Sequence, residues 1–214
     1  IPDEQTLFRL KEHIDSNKVK TDDSTKTISL EDDQMLIDLG SIAKGYTSDK
    51  ISKIMKNDGI ESAVVSLGGN VQAVGKKPDG SQWKVAIQNP FDENDYAAVV
   101  TVDDCAVITS GAYQRYFEQD GKTYHHIMDP STCAPADTDL ASVTIVSKDA
   151  TLADAYSTTL FILGKEKAVD FWCKNKNDFD IILMGKDNSV VVSQNIADSF
   201  TVLNENFDNV EIAK

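Results

Sequence analysis

Asp38-Leu39-Gly40-Ser41-Ile42-Ala43-Lys44-Gly45-Tyr46 brings an acidic residue, a glycine turn and a lysine together where the chain changes direction. The apolar run Met35-Leu36-Ile37 stops at Asp38, and a helical pattern starts near Ile42. Backbone N–H groups at a helix start lack partners inside the helix and carry partial positive charge, to which Lys44 adds a full one. Such a place suits an anion. The spacing is neither the phosphate-binding G-x-x-x-x-G-K-[ST] nor the dinucleotide-binding G-x-G-x-x-G, so an ordinary strand-to-helix turn is the competing reading.

Further along, Ser66-Leu67-Gly68-Gly69-Asn70 follows the apolar Ala63-Val64-Val65. Paired glycines there allow close backbone approach to a ligand, although a bulge or hairpin is the simpler explanation. Thr109-Ser110-Gly111 ends another apolar run with small hydroxyls that can donate to a phosphate or a carbonyl. Tyr124-His125-His126-Ile127-Met128-Asp129-Pro130-Ser131-Thr132 is denser. In a strand the adjacent histidines point to opposite faces, so one turns inward and only one serves a given site. Asp129-Pro130 then ends the strand in a turn. Last, Asp154 and Thr158 are four apart and share a helix face. Carboxylate beside hydroxyl makes a hard oxygen pair suited to Mg²⁺ and not to zinc, with a capped or solvated helix turn as the plainer alternative.

The elements that must position these residues follow from periodicity. Leu7, Leu10 and Ile14 predict a helix over 3–17, and Ile42 to Met55 a second, stopped by Asn57-Asp58-Gly59. Helices are also predicted at 150–163 and 165–175. Strands are expected at 26–30, 35–39, 62–67, 71–75, 83–88, 97–102, 105–109, 114–118, 123–127 and 141–146, then at 180–185, 189–193 and 200–203. Mostly meandering strands with a few helices indicate an α+β fold rather than alternating βαβ units.

Length and charge bound the rest. The 214 residues are enough for one good core, and a single domain over 1–214 is expected. A net charge of −14 argues against nucleic acid and against anionic lipid. Cys105, Cys133 and Cys173 are odd in number and widely spaced, which predicts free thiols, and the three histidines complete no zinc pattern. No apolar run reaches the ~18 residues of a membrane span. The chain begins at Ile1, which reads as a processed or cut-out piece of something longer.

Taken in order, these stretches resemble the ApbE family of FAD:protein FMN transferases, once described as thiamine-biosynthesis lipoproteins. The resemblance spans nearly the whole chain and implies an ApbE-like, T-fold-related architecture of mostly antiparallel sheets with packed helices. It implies a Mg²⁺-dependent cleavage of FAD, with FMN passed to a threonine or serine hydroxyl of a partner protein and AMP released. Carried onto this chain, the Asp154 carboxylate, the Thr158 hydroxyl and the Ala43 carbonyl would hold the metal. Asp38, Gly40, Ser41, Lys44, Ser110, Gly111, His126, Ile127 and Thr132 would line the flavin nucleotide, with His126 and Lys44 serving the transfer. The acceptor would belong to a membrane redox complex, and the location would be extracytoplasmic, with an anchor not contained in this chain. A Mg²⁺-dependent FAD pyrophosphatase uses the same groups, and a non-catalytic flavin-binding scaffold is the alternative from another class. Ser41 and Cys133 stand where the family usually has glycine, and Ala112 where it has Asp or Asn. Family members also carry a further N-terminal segment, so one wall of the flavin pocket is expected to lie outside these residues.

Overall fold

The computed structural model describes residues 1–214. It opens with helix α1 (Glu4–Lys11), capped by the Asp3 carboxylate, which accepts the Thr6 N–H at 2.8 Å. The helix predicted to residue 17 stops at Lys11 because none of its residues is buried, and short helices depend on packing. A small hairpin follows, β1 (Val19–Asp22) with β2 (Thr27–Leu30), joined to the preceding segment through Asp32. That carboxylate meets His13 Nδ1 at 2.9 Å and Lys18 Nζ at 3.0 Å. The strand expected at 35–39 does not form. No neighbouring strand offers it ladder partners, and Leu36 is 92% exposed.

Helix α2 (Ala43–Asn57) leads into the hairpin β3 (Ser62–Leu67) and β4 (Asn70–Gly75). Strands β5 (Trp83–Asn89) and β6 (Asp92–Val102) form a second hairpin, and β7 (Ala106–Gly111) returns to the main sheet. An exposed hairpin follows, β8 (Tyr116–Gln119) with β9 (Lys122–His125), then the short pair β10 (Met128–Asp129) and β11 (Ala134–Pro135). Strand β12 (Leu140–Ser147) precedes the helices α3 (Ala150–Leu163) and α4 (Lys165–Asn175). The chain closes with β13 (Asp180–Gly185), β14 (Val190–Ser193), β15 (Phe200–Val202) and β16 (Val210–Ala213).

Seven strands make one sheet in the order β16-β14-β13-β12-β7-β4-β3, antiparallel throughout except for β14 with β16. Helices α3 and α4 cover one face, and the three-stranded sheet β15-β6-β5 covers the other. Alternation along β13 shows how both faces are filled. Ile181 and Leu183 pack with Leu160, Phe161 and Trp172 on the helix side, while Ile182 and Met184 meet Val85, Ile87 and Val100 on the sheet side. A strand covered on both faces reads as a continuous apolar run, and 181–184 is one. The fold is α+β with mostly antiparallel sheets.

Helix α2 joins this body differently. Its buried residues are Gly45, Ser48 and Ser52, all small, so its axis lies close against α3. A Cβ at Gly45 would fall onto the Ala150 carbonyl oxygen and 2.7 Å from Asp154 Cβ. Glycine is required by that approach. Asp49, one turn on, places its carboxylate on the start of α3, accepting the Ala150 N–H at 2.9 Å and the Thr151 N–H at 2.8 Å.

Candidate functional site

The α2–α3 junction buries one carboxylate, and the rest of the site is arranged around it. Asp154 is 4% exposed. One of its oxygens accepts the Gly45 N–H at 2.8 Å, and the other accepts the Asn70 side-chain amide at 2.9 Å. The helix start that looked like an anion site therefore already holds an anion, and it is the protein's own. Two donors fix the orientation of the buried carboxylate, and each oxygen still has a lone pair to offer.

Thr158 lies one helical turn further, where α3 meets the end of β7. Ser110 Oγ is 2.8 Å from Ser157 Oγ and 3.2 Å from Thr158 Oγ1, and the Ser157 hydroxyl donates back to the Asp154 carbonyl at 2.9 Å. The register that puts Ser110 opposite Val143 directs it toward α3. Asp154, Ser157, Thr158 and Ser110 thus belong to one hydrogen-bonded group, joined to α2 through Gly45 and to β4 through Asn70. Gly111 closes against Tyr113, whose ring a Cβ at that position would strike.

Asn70 closes the Ser66–Asn70 stretch, but the sequence assigned it no role of its own. The plain explanation of Gly68-Gly69 is correct: their φ values of 54° and 93° make the two-residue turn between β3 and β4. That turn delivers Asn70, 1% exposed, to Asp154. The legible signal was a polar residue opening a buried strand directly after a glycine pair. Asp49 and Gly45 carried no such signal, because their roles exist only where α2 crosses α3.

Around this centre the other predicted residues divide. Lys44 is half-buried at the start of α2, its side chain near the Gly68 turn. Asp38, Gly40 and Ser41 are exposed, and Asp38 Oδ1 accepts the Gly40 N–H at 2.6 Å, which shapes the turn into α2. The Ala43 carbonyl accepts the Thr47 hydroxyl at 2.7 Å, and Ala43 itself is exposed. The histidines separate as expected, but by a different route. Strand β9 ends at His125, and His126 stands in the bend after it. His125 turns inward, edge-on to Phe161 at 5.7 Å, with Nε2 3.2 Å from the Ala136 carbonyl. Burial pushes its pKa down, and neighbouring His126 and Lys186 add to that against the Ala136 hydrogen bond. His126 is exposed, with Nδ1 3.2 Å from the Arg115 carbonyl.

The loop after His126 corrects one expectation. Ile127 contributes its side chain to the core, 4% exposed, and its carbonyl to the Ala136 N–H at 2.9 Å, so it offers a ligand no side-chain contact. Asp129 Oδ1 accepts the Ser131 N–H at 2.7 Å, and Thr132 Oγ1 accepts the Ala134 N–H at 3.3 Å. The Ser131 carbonyl accepts the Lys11 ammonium, which ties the N-terminal residues to this loop. Cys133 adopts φ 56°, a left-handed conformation that glycine takes at no steric cost, which explains why glycine suits this position. All three cysteines are free thiols.

The Asp154 carboxylate and the Thr158 hydroxyl share a face of α3, and the Ala43 carbonyl lies two residues before Gly45, whose N–H Asp154 accepts. This is a hard-oxygen set that fits Mg²⁺, which takes few protein ligands and completes its shell with phosphate and water. No cluster of three or more His, Cys, Asp or Glu stands together as a fuller protein cage would need.

The model of the ApbE family matches residues 1–183. An FAD:protein FMN transferase of Klebsiella pneumoniae is 37% identical over 177 residues, covering 82% of this chain and 54% of that protein. Another from Treponema pallidum is 41% identical over 193 residues, covering 85% and 52%. Among solved structures, the ApbE protein of Thermotoga maritima superposes with a TM-score of 0.84 at 32% identity, over 93% of this chain and 64% of that one. The flavin transferase ApbE of Vibrio cholerae gives 0.76 at 27% identity, over 97% and 62%. The chain spans about half the length of the curated relatives it matches.

Proposed function

The chain belongs to the ApbE family, and from that premise we propose that it carries the metal and phosphate-transfer half of an FAD:protein FMN transferase. The reaction class is displacement at phosphorus. A threonine or serine hydroxyl of an acceptor protein attacks the FMN-side phosphorus of FAD, the bridging P–O bond breaks, AMP departs, and the hydroxyl proton passes to a base. The observation that carries this reading is the buried Asp154 carboxylate, gripped by Gly45 and Asn70 one turn before Thr158.

Phosphoryl transfer demands positioning and charge stabilisation more than covalent help from the protein. Asp154, Thr158 and the Ala43 carbonyl would hold Mg²⁺, which supplies neutralisation of charge on the pyrophosphate oxygens. Lys44 adds a second positive charge from the same helix start. His126 has the geometry of a proton acceptor. The Arg115 carbonyl can only accept, so in the neutral ring Nδ1 carries the proton and Nε2 keeps a lone pair in an exposed position. Ser110 steadies the Thr158 hydroxyl. The acceptor would be a subunit of a redox complex, reached on the exposed side of the His126 bend.

The test is titration of FAD fluorescence with and without Mg²⁺, followed by chromatography for AMP and mass spectrometry of a redox subunit offered as acceptor. Mg²⁺-enhanced binding that Asp154→Ala abolishes, with FMN attached to an acceptor threonine, is expected. Release of free FMN alone would replace transfer by hydrolysis. Mg²⁺-linked binding unaffected by Asp154→Ala would remove the metal assignment.

A further inference from the structure

Some 13 Å along α2 from Lys44, at about 1.5 Å per residue, the helix borders a second polar cleft of about 390 Å³ with no apolar residue in its lining. We propose that this cleft binds a protonated oxyanion of the phosphate class, either free phosphate or a phosphate monoester. Its acids are already engaged. Asp49 is spent on the start of α3, and Asp104 is 2.6 Å from Lys56 Nζ and accepts the Gly75 N–H at 3.1 Å. Its other cations are not. Lys53 from α2 and Lys148 from the turn before α3 line the same cleft without an ion-pair partner, in a chain where 35 acidic residues face 21 basic ones. Two cations left unpaired against that excess are a place where an anion gains most from binding.

A second, independent feature narrows the ligand. Gln72 lines the cleft from β4 and is 3% exposed. Its Nε2 donates to the Ala73 carbonyl at 2.9 Å, while Oε1 has no partner. Buried acceptors in folded proteins are normally satisfied, so this one marks a missing donor. A ligand toward which the Gln72 amide turns would present negative oxygens to Lys53 and Lys148 and an O–H group to Oε1, which is itself sealed from solvent. Sulfate and ionised carboxylates have no such donor. Phosphate near neutral pH retains a P–OH, and a monoester retains one in part. Ser52, 7% exposed on the same wall, adds a hydroxyl.

Calorimetric titration of this chain with inorganic phosphate, glycerol phosphate and sulfate, without FAD or Mg²⁺, tests the site apart from any transfer chemistry. Saturable phosphate binding stronger than sulfate binding is expected. The double substitution Lys53→Ala/Lys148→Ala, at exposed positions that leave the fold intact, should weaken it about ten-fold or more. Gln72→Leu should erase the preference for phosphate over sulfate. Glycerol phosphate binding as tightly as phosphate would identify the occupant as a monoester, and its rejection would identify the free ion. No saturation overturns the proposal. So does binding that survives the lysine double substitution but is lost with Lys44→Ala, which would put phosphate at the α2 start instead.

Discussion

Asp154 shows how a residue with an ordinary sequence context acquires a specific chemistry. Its carboxylate is buried, oriented by Gly45 and Asn70, and left with lone pairs for a cation. Asn70→Ala strips one donor from a buried charge, so denaturant titration should register a loss of about 1–3 kcal/mol, with weaker Mg²⁺-linked FAD binding. The two histidines stand in different surroundings, His125 against Phe161 and His126 exposed. His126→Ala should slow transfer far more than it weakens FAD binding, whereas His125→Ala should mainly cost stability by emptying the contact with Phe161. Equal kinetic effects of the two substitutions would count against His126 as the base. Burial holds the His125 pKa below its ordinary 6.5. As pH falls through that value the unfolded chain takes up the proton first, so stability present above it is lost toward the lower folded pKa. In His125→Gln, denaturation midpoints measured on either side of that value should lie closer together than in the parent protein.

At the scale of elements, the decisive feature is the crossing of α2 over α3. A helix that buries only Gly45, Ser48 and Ser52 gains little from apolar area, so close approach and polar contacts must hold it. Gly45→Ala places a methyl against the Ala150 carbonyl and Asp154 Cβ. An overpacking cost of about 1–3 kcal/mol follows, and because the carboxylate must shift, Mg²⁺-linked binding should fall as well. Asp49→Ala uncaps α3 from outside the helix and should lower stability by about 0.5–2 kcal/mol in thermal or urea unfolding. A variant as stable as the parent would mean that Asp149, whose side chain accepts the Leu152 N–H at 2.8 Å, caps α3 sufficiently alone.

For the whole molecule, charge sets the approach of a ligand. A net charge of −14 repels an anionic dinucleotide at long range, and salt screens that repulsion beyond about 10 Å at 0.1 M. The association rate for FAD in stopped-flow measurements should therefore rise with ionic strength. A rate that falls with salt would point to a local positive field around Lys44 strong enough to dominate. The seven-stranded sheet, covered by helices on one face and by β15-β6-β5 on the other, gives the site a rigid base. The junction of α2 with α3 and the bend at His126 both lie at the ends of elements anchored in it.

Much of this was legible in the chain itself. The helices at 150–163 and 165–175 and the strands at 62–67 and 180–185 match their periodic patterns, because strong apolar patterning and clear punctuation agreed there. The order of the motifs carried the family resemblance. The segment at 35–39 has strand-like composition but no partner, and Ile127 is apolar in a polar motif, so neither behaves as its neighbours suggested. Tertiary structure alone decided that Asn70 and Gly45 clasp Asp154, that Asp49 caps a helix 101 residues away, and that Lys53, Lys148 and Gln72 line one cleft. Periodicity reports which face of an element is apolar. It does not report which polar groups from distant elements will meet once those faces are buried.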